Sequence, residues 1–209
     1  MSTNSGFPTG TAWERLQDGN TRFIEGRSTA DDRRGAARRA ELIGSQTPSA
    51  IVLGCADSRV PAEILFDQGL GDLFVVRTAG HTVDAAVLGS VEYAVAILGV
   101  PLIVVLGHDE CGAISAAAQM VDAGKVPPGS IRDVVEHIAP DITRARRAGA
   151  VTIDEIVERH ALYTVELLRR RSELIDGAIR RGGLAAVPAR YCLSTGEVTK
   201  AYARGLQPA

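Results

Sequence analysis

The chain has 209 residues, of which 45% are hydrophobic and 23% are charged, and its formal net charge is -2. This length and composition predict one globular domain with short appendages and a sizeable hydrophobic core. The balanced charge argues against a nucleic-acid-binding protein or one that docks on acidic membranes, so we expect neither kind of partner.

The start of the chain and the cysteines indicate where the protein works. Residues 1–10 are small and polar and lack the apolar segment of a signal peptide. No apolar run is long enough to span a bilayer. Three cysteines, an odd number, argue against a disulfide scaffold and favour thiolate metal ligands. We therefore expect a cytoplasmic protein.

Residues 1–44 are predicted to form an N-terminal helical arm. Apolar residues recur at roughly helical spacing between Thr11 and Gly26, and a second, polar helix is expected over residues 34–43. A short amphipathic arm ahead of a complete α/β unit often packs on a partner chain. We therefore expect a homodimer that this arm embraces.

Residues 45–209 are predicted to form an α/β domain in which strands and helices alternate. Short apolar runs predict strands over residues 50–54, 72–76, 102–106 and 184–193. Patterning and capping residues predict the helices, which cover residues 61–66, 84–98, 111–123, 131–149 and, as one long helix, 152–181. This alternation predicts a single domain with a central, mostly parallel β-sheet flanked by helices. Pro188 favours an edge position for the strand near the C-terminus.

Residues able to bind a metal follow two of the predicted strands. Cys55 and Asp57 lie two residues apart after the first strand, so they project to the same side of an extended chain, and Arg59 follows them there. His108 and Cys111 follow the third strand, at the end where parallel sheets bind ligands. Two sulfurs, one imidazole nitrogen and one carboxylate form a ligand set that suits zinc.

Most cysteines and histidines have only a packing role, and each residue taken alone fits that interpretation. The occurrence of two ligand pairs at two strand-to-helix turns favours a joint metal site instead. Cys192 has no such neighbours and is interpreted as structural. His137 and His160 are interpreted as surface or packing residues, and so is His81, which is also a distant candidate for a proton carrier.

Two segments resemble the signature motifs of the β-class carbonic anhydrases: Cys55-Ala56-Asp57-Ser58-Arg59 and His108-Asp109-Glu110-Cys111-Gly112. Gln46, the segment Phe74–Gly80 and the segment Glu92–Ala94 match further family positions at the corresponding separations. The resemblance covers roughly residues 11–200.

The resemblance implies a zinc ion held by Cys55, His108 and Cys111, with water or hydroxide in the fourth position. The implied activity is the reversible hydration of carbon dioxide to bicarbonate and a proton by zinc-bound hydroxide. In some members the aspartate that matches Asp57 closes the fourth position, and it opens by turning onto the arginine that matches Arg59. Because two thiolates cancel the zinc charge, we expect activity to rise with pH, with a midpoint above about 7.

The resemblance also implies a substrate pocket shared between two chains of a homodimer, which in this family often pairs into a homotetramer. One chain would contribute polar groups from Gln46, Asp57 and Gly112. The partner chain would contribute apolar walls from Phe74, Ala79 and Tyr93. Arg59 would orient Asp57, which would accept the hydrogen bond of the attacking hydroxide.

Three other interpretations use the same residues. The protein could be a hydrolase of carbon disulfide or carbonyl sulfide with the same ligand set. It could be a non-enzymatic protein whose structural zinc is closed by Asp57, although Arg59 argues against this because a purely structural site needs no partner for its fourth ligand. A redox sensor is a third interpretation, but Cys55 and Cys111 do not form a Cys-x-x-Cys pair.

Overall fold

The structure is a computed structural model that describes residues 9–30 and 33–201. The polar start of the chain, residues 1–8, lies outside the described residues. Among the described residues, no helix is both long and apolar enough to cross a membrane.

A five-stranded sheet forms the centre of the molecule, in the order β2-β1-β3-β4-β5. Its strands are β1 (Ala50–Cys55), β2 (Leu73–Thr78), β3 (Leu102–His108), β4 (Ala185–Tyr191) and β5 (Val198–Lys200). The first four strands are mutually parallel, and β5 runs antiparallel to β4. The structure confirms the predicted fold class, a single α/β domain with a mostly parallel sheet.

Helices cover both faces of this sheet. They are α1 (Thr9–Ile24), α2 (Ala36–Glu41), α3 (Ala62–Leu65), α4 (Ala85–Ala96), α5 (Gly112–Ala123), α6 (Ile131–Arg147), α7 (Ile153–Arg171) and α8 (Glu173–Arg180). Alternate residues of β1 and β3 point to opposite faces, so each strand feeds two cores. Val52 and Val104 pack with α1 and α3, whereas Leu53 and Val105 pack with α4, α7 and α8.

The predicted single helix over residues 152–181 was wrong, because the chain breaks at Ser172. Ser172 is extended (φ -134°, ψ 110°), and its hydroxyl accepts a hydrogen bond from the Ile175 N–H at the start of α8. The same hydroxyl donates to Glu92 Oε1 of α4 at 2.5 Å. The apolar stripe continues through the break, so periodicity alone could not reveal it.

Pro188 limits the pairing at the edge of the sheet near the C-terminus. The Pro188 carbonyl accepts a hydrogen bond from the Ala201 N–H at 2.9 Å, but proline has no N–H to return. The ladder between β4 and β5 therefore begins at the next residue, Ala189. An edge strand near the C-terminus is present, but it is the short β5. The edge position predicted for the strand that contains Pro188 was wrong, because β4 pairs with both β3 and β5.

The first helix of the arm packs on its own chain. Trp13 and Leu16 are buried in the core that α1 shares with the sheet. The buried Asn20 amide donates to the carbonyls of Leu65 and Gly196 and accepts from the Val198 N–H, at 2.8 to 3.0 Å. These bonds attach α1 to α3 and to β5.

Candidate metal centre

The carboxyl ends of β1 and β3 bring the predicted metal ligands together. Cys55 is the last residue of β1 and His108 the last residue of β3, and these strands are neighbours in the parallel sheet. After β3 the chain turns sharply through Glu110, whose φ is +52°, and Cys111 then caps the start of α5. Cys111 therefore returns toward the strand ends.

The three side chains form a buried cluster with a spacing that suits a metal ion. The Cys55 and Cys111 sulfurs are 4.0 Å apart, and the three potential ligand atoms lie within 4.8 Å of one another. Zinc–sulfur bonds of about 2.3 Å in a tetrahedron put two sulfurs about 3.8 Å apart. The observed spacing is close to that value, so these residues fit a zinc ion.

The ring of His108 is oriented for metal binding. Its Nδ1 faces the carbonyl oxygen of Asp109 at 2.7 Å, so this nitrogen carries the proton and donates it. Its Nε2 is buried and has no hydrogen-bond partner among residues 9–30 and 33–201. An unpartnered imidazole lone pair beside two sulfurs is what a soft-to-borderline cation would bind.

Burial and mutual hydrogen bonds shift the pKa values of all three side chains in the cluster. The hydrogen bond from the Cys111 thiol lowers the pKa of Cys55 to about 4, while that same bond, together with burial, raises the pKa of Cys111. Burial disfavours protonated His108, but the Cys55 thiolate outweighs this and raises the pKa of the ring. Without a metal the cluster therefore retains protons that a cation would displace.

Asp57 lies beside the cluster and is held by Arg59. The Arg59 guanidinium donates to both carboxylate oxygens, at 3.0 and 2.8 Å, and the Arg59 backbone N–H adds a bond of 2.9 Å. The side-chain hydrogen bonds from Arg59 hold the pKa of Asp57 well below its usual range, so the carboxylate is charged. One of its oxygens lies 4.0 Å from His108 Nε2. Asp57 is thus near the cluster but turned onto Arg59.

Two groups that support the site were not identified from the sequence, the Arg77 side chain and the Gly80 N–H. Arg77 of β2 donates to the carbonyls of Cys55 at 2.9 Å and Asp57 at 2.5 Å, and so holds the backbone of the loop after β1. The Gly80 N–H donates to the Cys55 sulfur at 3.4 Å. The signal available in the sequence was an arginine within an otherwise apolar strand, and the structure shows that this arginine is half-buried.

The residues expected around the substrate are distributed over five elements and loops. Gln46 is exposed in the loop before β1, and Gly112 is exposed at the first position of α5. Phe74 of β2 and Tyr93 of α4 lie together, with ring centroids 6.4 Å apart, and Tyr93 is 49% exposed. Ala79 is exposed in a 3₁₀ turn, Ala79–His81, that follows β2. The positions are compatible with a polar set of pocket residues, Gln46 and Gly112, and an apolar set, Phe74, Ala79 and Tyr93.

The structure gives the histidines distinct surroundings. The His81 ring is fully buried, which lowers its pKa, and neither ring nitrogen has a hydrogen-bond partner among the described residues. A proton carrier needs a hydrogen-bonded route, so the structure does not favour His81 in that role. His160 is a packing residue, as predicted, but it also bonds to Asp141 and Gly80. His137 is exposed on α6, and Cys192 lies near Ser194 in the turn before β5.

Comparisons with known proteins agree on one family. A family profile described as carbonic anhydrase matches residues 50–198. Carbonic anhydrase 2 of Mycobacterium tuberculosis is 52% identical over 185 residues, which cover 88% of this chain and 89% of the relative.

Solved structures of β-carbonic anhydrases have a similar fold. The β-carbonic anhydrase CcaA has a TM-score of 0.71 at 24% identity, with coverage of 91% of this chain and 88% of that one. The β-carbonic anhydrase of Coccomyxa in complex with acetazolamide has a TM-score of 0.68 at 25% identity, with coverage of 88% and 84%.

Proposed function

Because the chain belongs to the β-class carbonic anhydrases, zinc enzymes that hydrate carbon dioxide, we propose that Cys55, His108 and Cys111 hold the zinc ion. The observation that carries this assignment is the buried cluster itself. Two sulfurs 4.0 Å apart stand beside an imidazole nitrogen that has no hydrogen-bond partner in the described part of the chain. A zinc ion bound there supplies an activated water as the nucleophile at neutral pH.

Asp57 and Arg59 are proposed to act together as the catalytic pair. The charged Asp57 carboxylate, 4.0 Å from His108 Nε2, can accept a hydrogen bond from the nucleophile and orient it toward the carbon of carbon dioxide. Arg59 holds the carboxylate by two side-chain bonds, so it keeps Asp57 charged and away from the metal position. This pairing also disfavours a structural zinc closed by Asp57.

The substrate pocket is proposed to need two chains. Gln46 and the N–H of Gly112 would bind the oxygens of carbon dioxide or bicarbonate, next to Asp57. Phe74, Ala79 and Tyr93 would reach the pocket of a partner chain, where apolar walls suit an uncharged triatomic gas. Partly exposed Phe74 and Tyr93 support this arrangement, since two contiguous aromatic rings at a surface mark an interaction site.

The N-terminal arm, residues 1–44, is proposed to embrace the partner within this homodimer, beyond the contacts that α1 makes with its own chain. Dimers of this kind could pair into homotetramers. A cytoplasmic location is also proposed, and it is supported by the three free cysteines, because reduced Cys55 and Cys111 are required as ligands.

Stopped-flow measurement of carbon dioxide hydration, on protein of known zinc content, tests the proposed function. We expect a zinc-dependent rate that rises from about pH 6.5 to about pH 9. The matched control is Cys192→Ala, which removes a cysteine that is not part of the cluster and should leave rate and zinc content unchanged. A rate no higher than that of buffer at full zinc content would overturn the proposal, and carbonyl sulfide and carbon disulfide would then be assayed.

A further inference from the structure

The turn Ala79–His81 lies against the metal cluster in a conformation that requires support. Gly80 and His81 both have positive φ, of +62° and +43°. The left-handed conformation is costly for histidine, so the surroundings must fix it. This turn positions the Gly80 N–H, which donates to the Cys55 sulfur at 3.4 Å.

Two residues from the helical layer hold the other side of Gly80. His160 Nε2 of α7 lies 3.0 Å from the Gly80 carbonyl oxygen, and His160 Nδ1 lies 2.7 Å from Asp141 Oδ2 of α6. Both ring nitrogens therefore face oxygen atoms, and because the Gly80 carbonyl oxygen can only accept, Nε2 is its donor. His160 is only 4% exposed, and its ring also packs on that of His81, with centroids 4.4 Å apart.

The packing around Gly80 leaves no room for a side chain. A Cβ atom at this position would lie 2.6 Å from Ile138 Cδ1 and 3.1 Å from Ala113 Cβ. The turn is therefore confined by α5 and α6 and bonded by α7. A small displacement of His160 would be transmitted to the Gly80 backbone, because close-packed interiors transmit such shifts.

From this arrangement we infer that Asp141 and His160 are positioning residues for the metal centre, which hold Gly80 so that its N–H stays on the Cys55 sulfur. An N–H···S bond withdraws charge from a thiolate ligand and so tunes the metal that the thiolate holds. The inference rests on the proposed metal site and extends it to residues on two other helices. The His160 ring bonds to Asp141 and Gly80 and acts on the cluster through the Gly80 backbone.

A pair of substitutions at one position separates this role from simple packing. In His160→Asn, the side-chain amide takes the place of Nδ1, so it can still donate to Asp141 but cannot reach Gly80. In His160→Gln, the amide takes the place of Nε2, so it can still donate to Gly80. Both variants remove the same imidazole ring, and His137→Asn on the exposed face of α6 is the surface control.

The first readout is cobalt-substituted protein, whose sulfur-to-metal charge-transfer absorption reports the charge on the thiolates. We expect His160→Asn to shift this absorption to lower energy and to bind cobalt about tenfold more weakly. His160→Gln should restore both values toward wild type, and His137→Asn should match wild type. The second readout needs no variant: in protein loaded with ¹¹³Cd, the Gly80 amide proton should show scalar coupling to the metal across the N–H···S bond.

The outcomes distinguish this inference from the proposed function. Wild-type protein that binds neither cobalt nor cadmium would overturn the metal site and the inference together. Metal binding with equal absorption and affinity in His160→Asn and wild type would overturn the inference alone. Equal perturbation of both His160 variants, the result of a purely structural role, would also overturn it. If His160→Asn does not fold, absence of the Gly80–cadmium coupling in wild type would overturn the inference.

Discussion

Single hydrogen bonds determine which form of His108 and Asp57 the site presents. The Asp109 carbonyl accepts a hydrogen bond from the Nδ1–H of His108. Asp109 is itself held in place, because its carboxylate accepts a hydrogen bond of 2.8 Å from the Leu193 N–H. The ring therefore directs Nε2 at the cluster. Arg59 fixes the orientation of Asp57 by donating hydrogen bonds to both of its carboxylate oxygens. Hydrogen bonds to Asp109 and Arg59 thus preorganise the site.

Asp57→Asn tests the role of the carboxylate at this scale. The amide keeps the shape of Asp57 but loses the charge that accepts a hydrogen bond from the nucleophile, so we expect kcat/KM to fall about 10- to 100-fold at unchanged zinc content. The measurement is stopped-flow carbon dioxide hydration beside metal analysis. The control is Asp122→Asn, which makes the same substitution at an exposed position near the end of α5. A near wild-type rate in Asp57→Asn would contradict the proposed role.

Cys111→Ala tests the ligand set. Loss of one of three protein ligands should abolish stoichiometric zinc, and the contribution of zinc to stability should be lost with it. We therefore expect a chelator to lower the Tm of wild-type protein but to leave the Tm of Cys111→Ala unchanged. Full zinc occupancy in the variant would remove Cys111 from the ligands.

The proposed ligands could be predicted from sequence because each follows a strand end within a short motif. Cys55 and His108 end adjacent strands, and strand order alone brings them together. The supporting residues could not be predicted in this way. His160 bonds to Gly80 from 80 positions along the chain, and only the packing of α7 against the sheet creates that contact.

Element boundaries were predictable where capping residues agree with the apolar pattern. Thr152 and Glu155 form the predicted capping box at the start of α7, with both of its bonds present. The end of that helix was not predictable, because Ser172 leaves the helix to bond with Glu92 on a distant element. Tertiary contacts thus decided where α7 ends and α8 begins.

Asp67 lies in the turn after α3 and bonds this turn to α1 and to the segment that follows α1. The charge of Asp67 makes this connection depend on pH. Burial alone would raise its pKa, but hydrogen bonds from Ser28, Arg22 and Thr29 outweigh burial and hold the pKa well below its usual range. A carboxyl with a depressed pKa in the folded state stabilises that state above its unfolded pKa, about 3.9, and loses this contribution as pH falls toward the folded value.

Asp67→Asn should therefore lower the free energy of unfolding by about 1 to 3 kcal/mol at neutral pH, and by progressively less as pH falls below about 4. Asparagine tolerates the positive φ of this position, +47°, so the backbone is not the cause. Denaturant unfolding at several pH values measures the difference, and Glu41→Gln on the exposed face of α2 is the control. A loss of stability that is equal at pH 7 and pH 3 would contradict the assignment to charge.

The molecule as a whole leaves the β2 edge of its sheet without a neighbouring strand among the described residues. All six residues of β2 are only partly buried, and among the described residues β2 pairs with β1 alone. An open strand beside aromatic residues is a liability that proteins usually cover with another element or chain. The fold of one chain was predictable from its own pattern, and this open edge is a structural observation that agrees with the second chain expected from the sequence.

Tyr93→Glu tests whether the second chain completes the site. Tyr93 is 49% exposed in the single chain, so a charge there should leave the fold and the zinc content intact while opposing burial between chains. We expect smaller particles in sedimentation velocity and a loss of carbon dioxide hydration that follows the monomer fraction. Val151→Glu, at a side chain that is 77% exposed, is the matched control and should remain associated and active. Monomers of Tyr93→Glu with full activity would contradict the shared pocket, because one chain would then hold every residue that turnover needs.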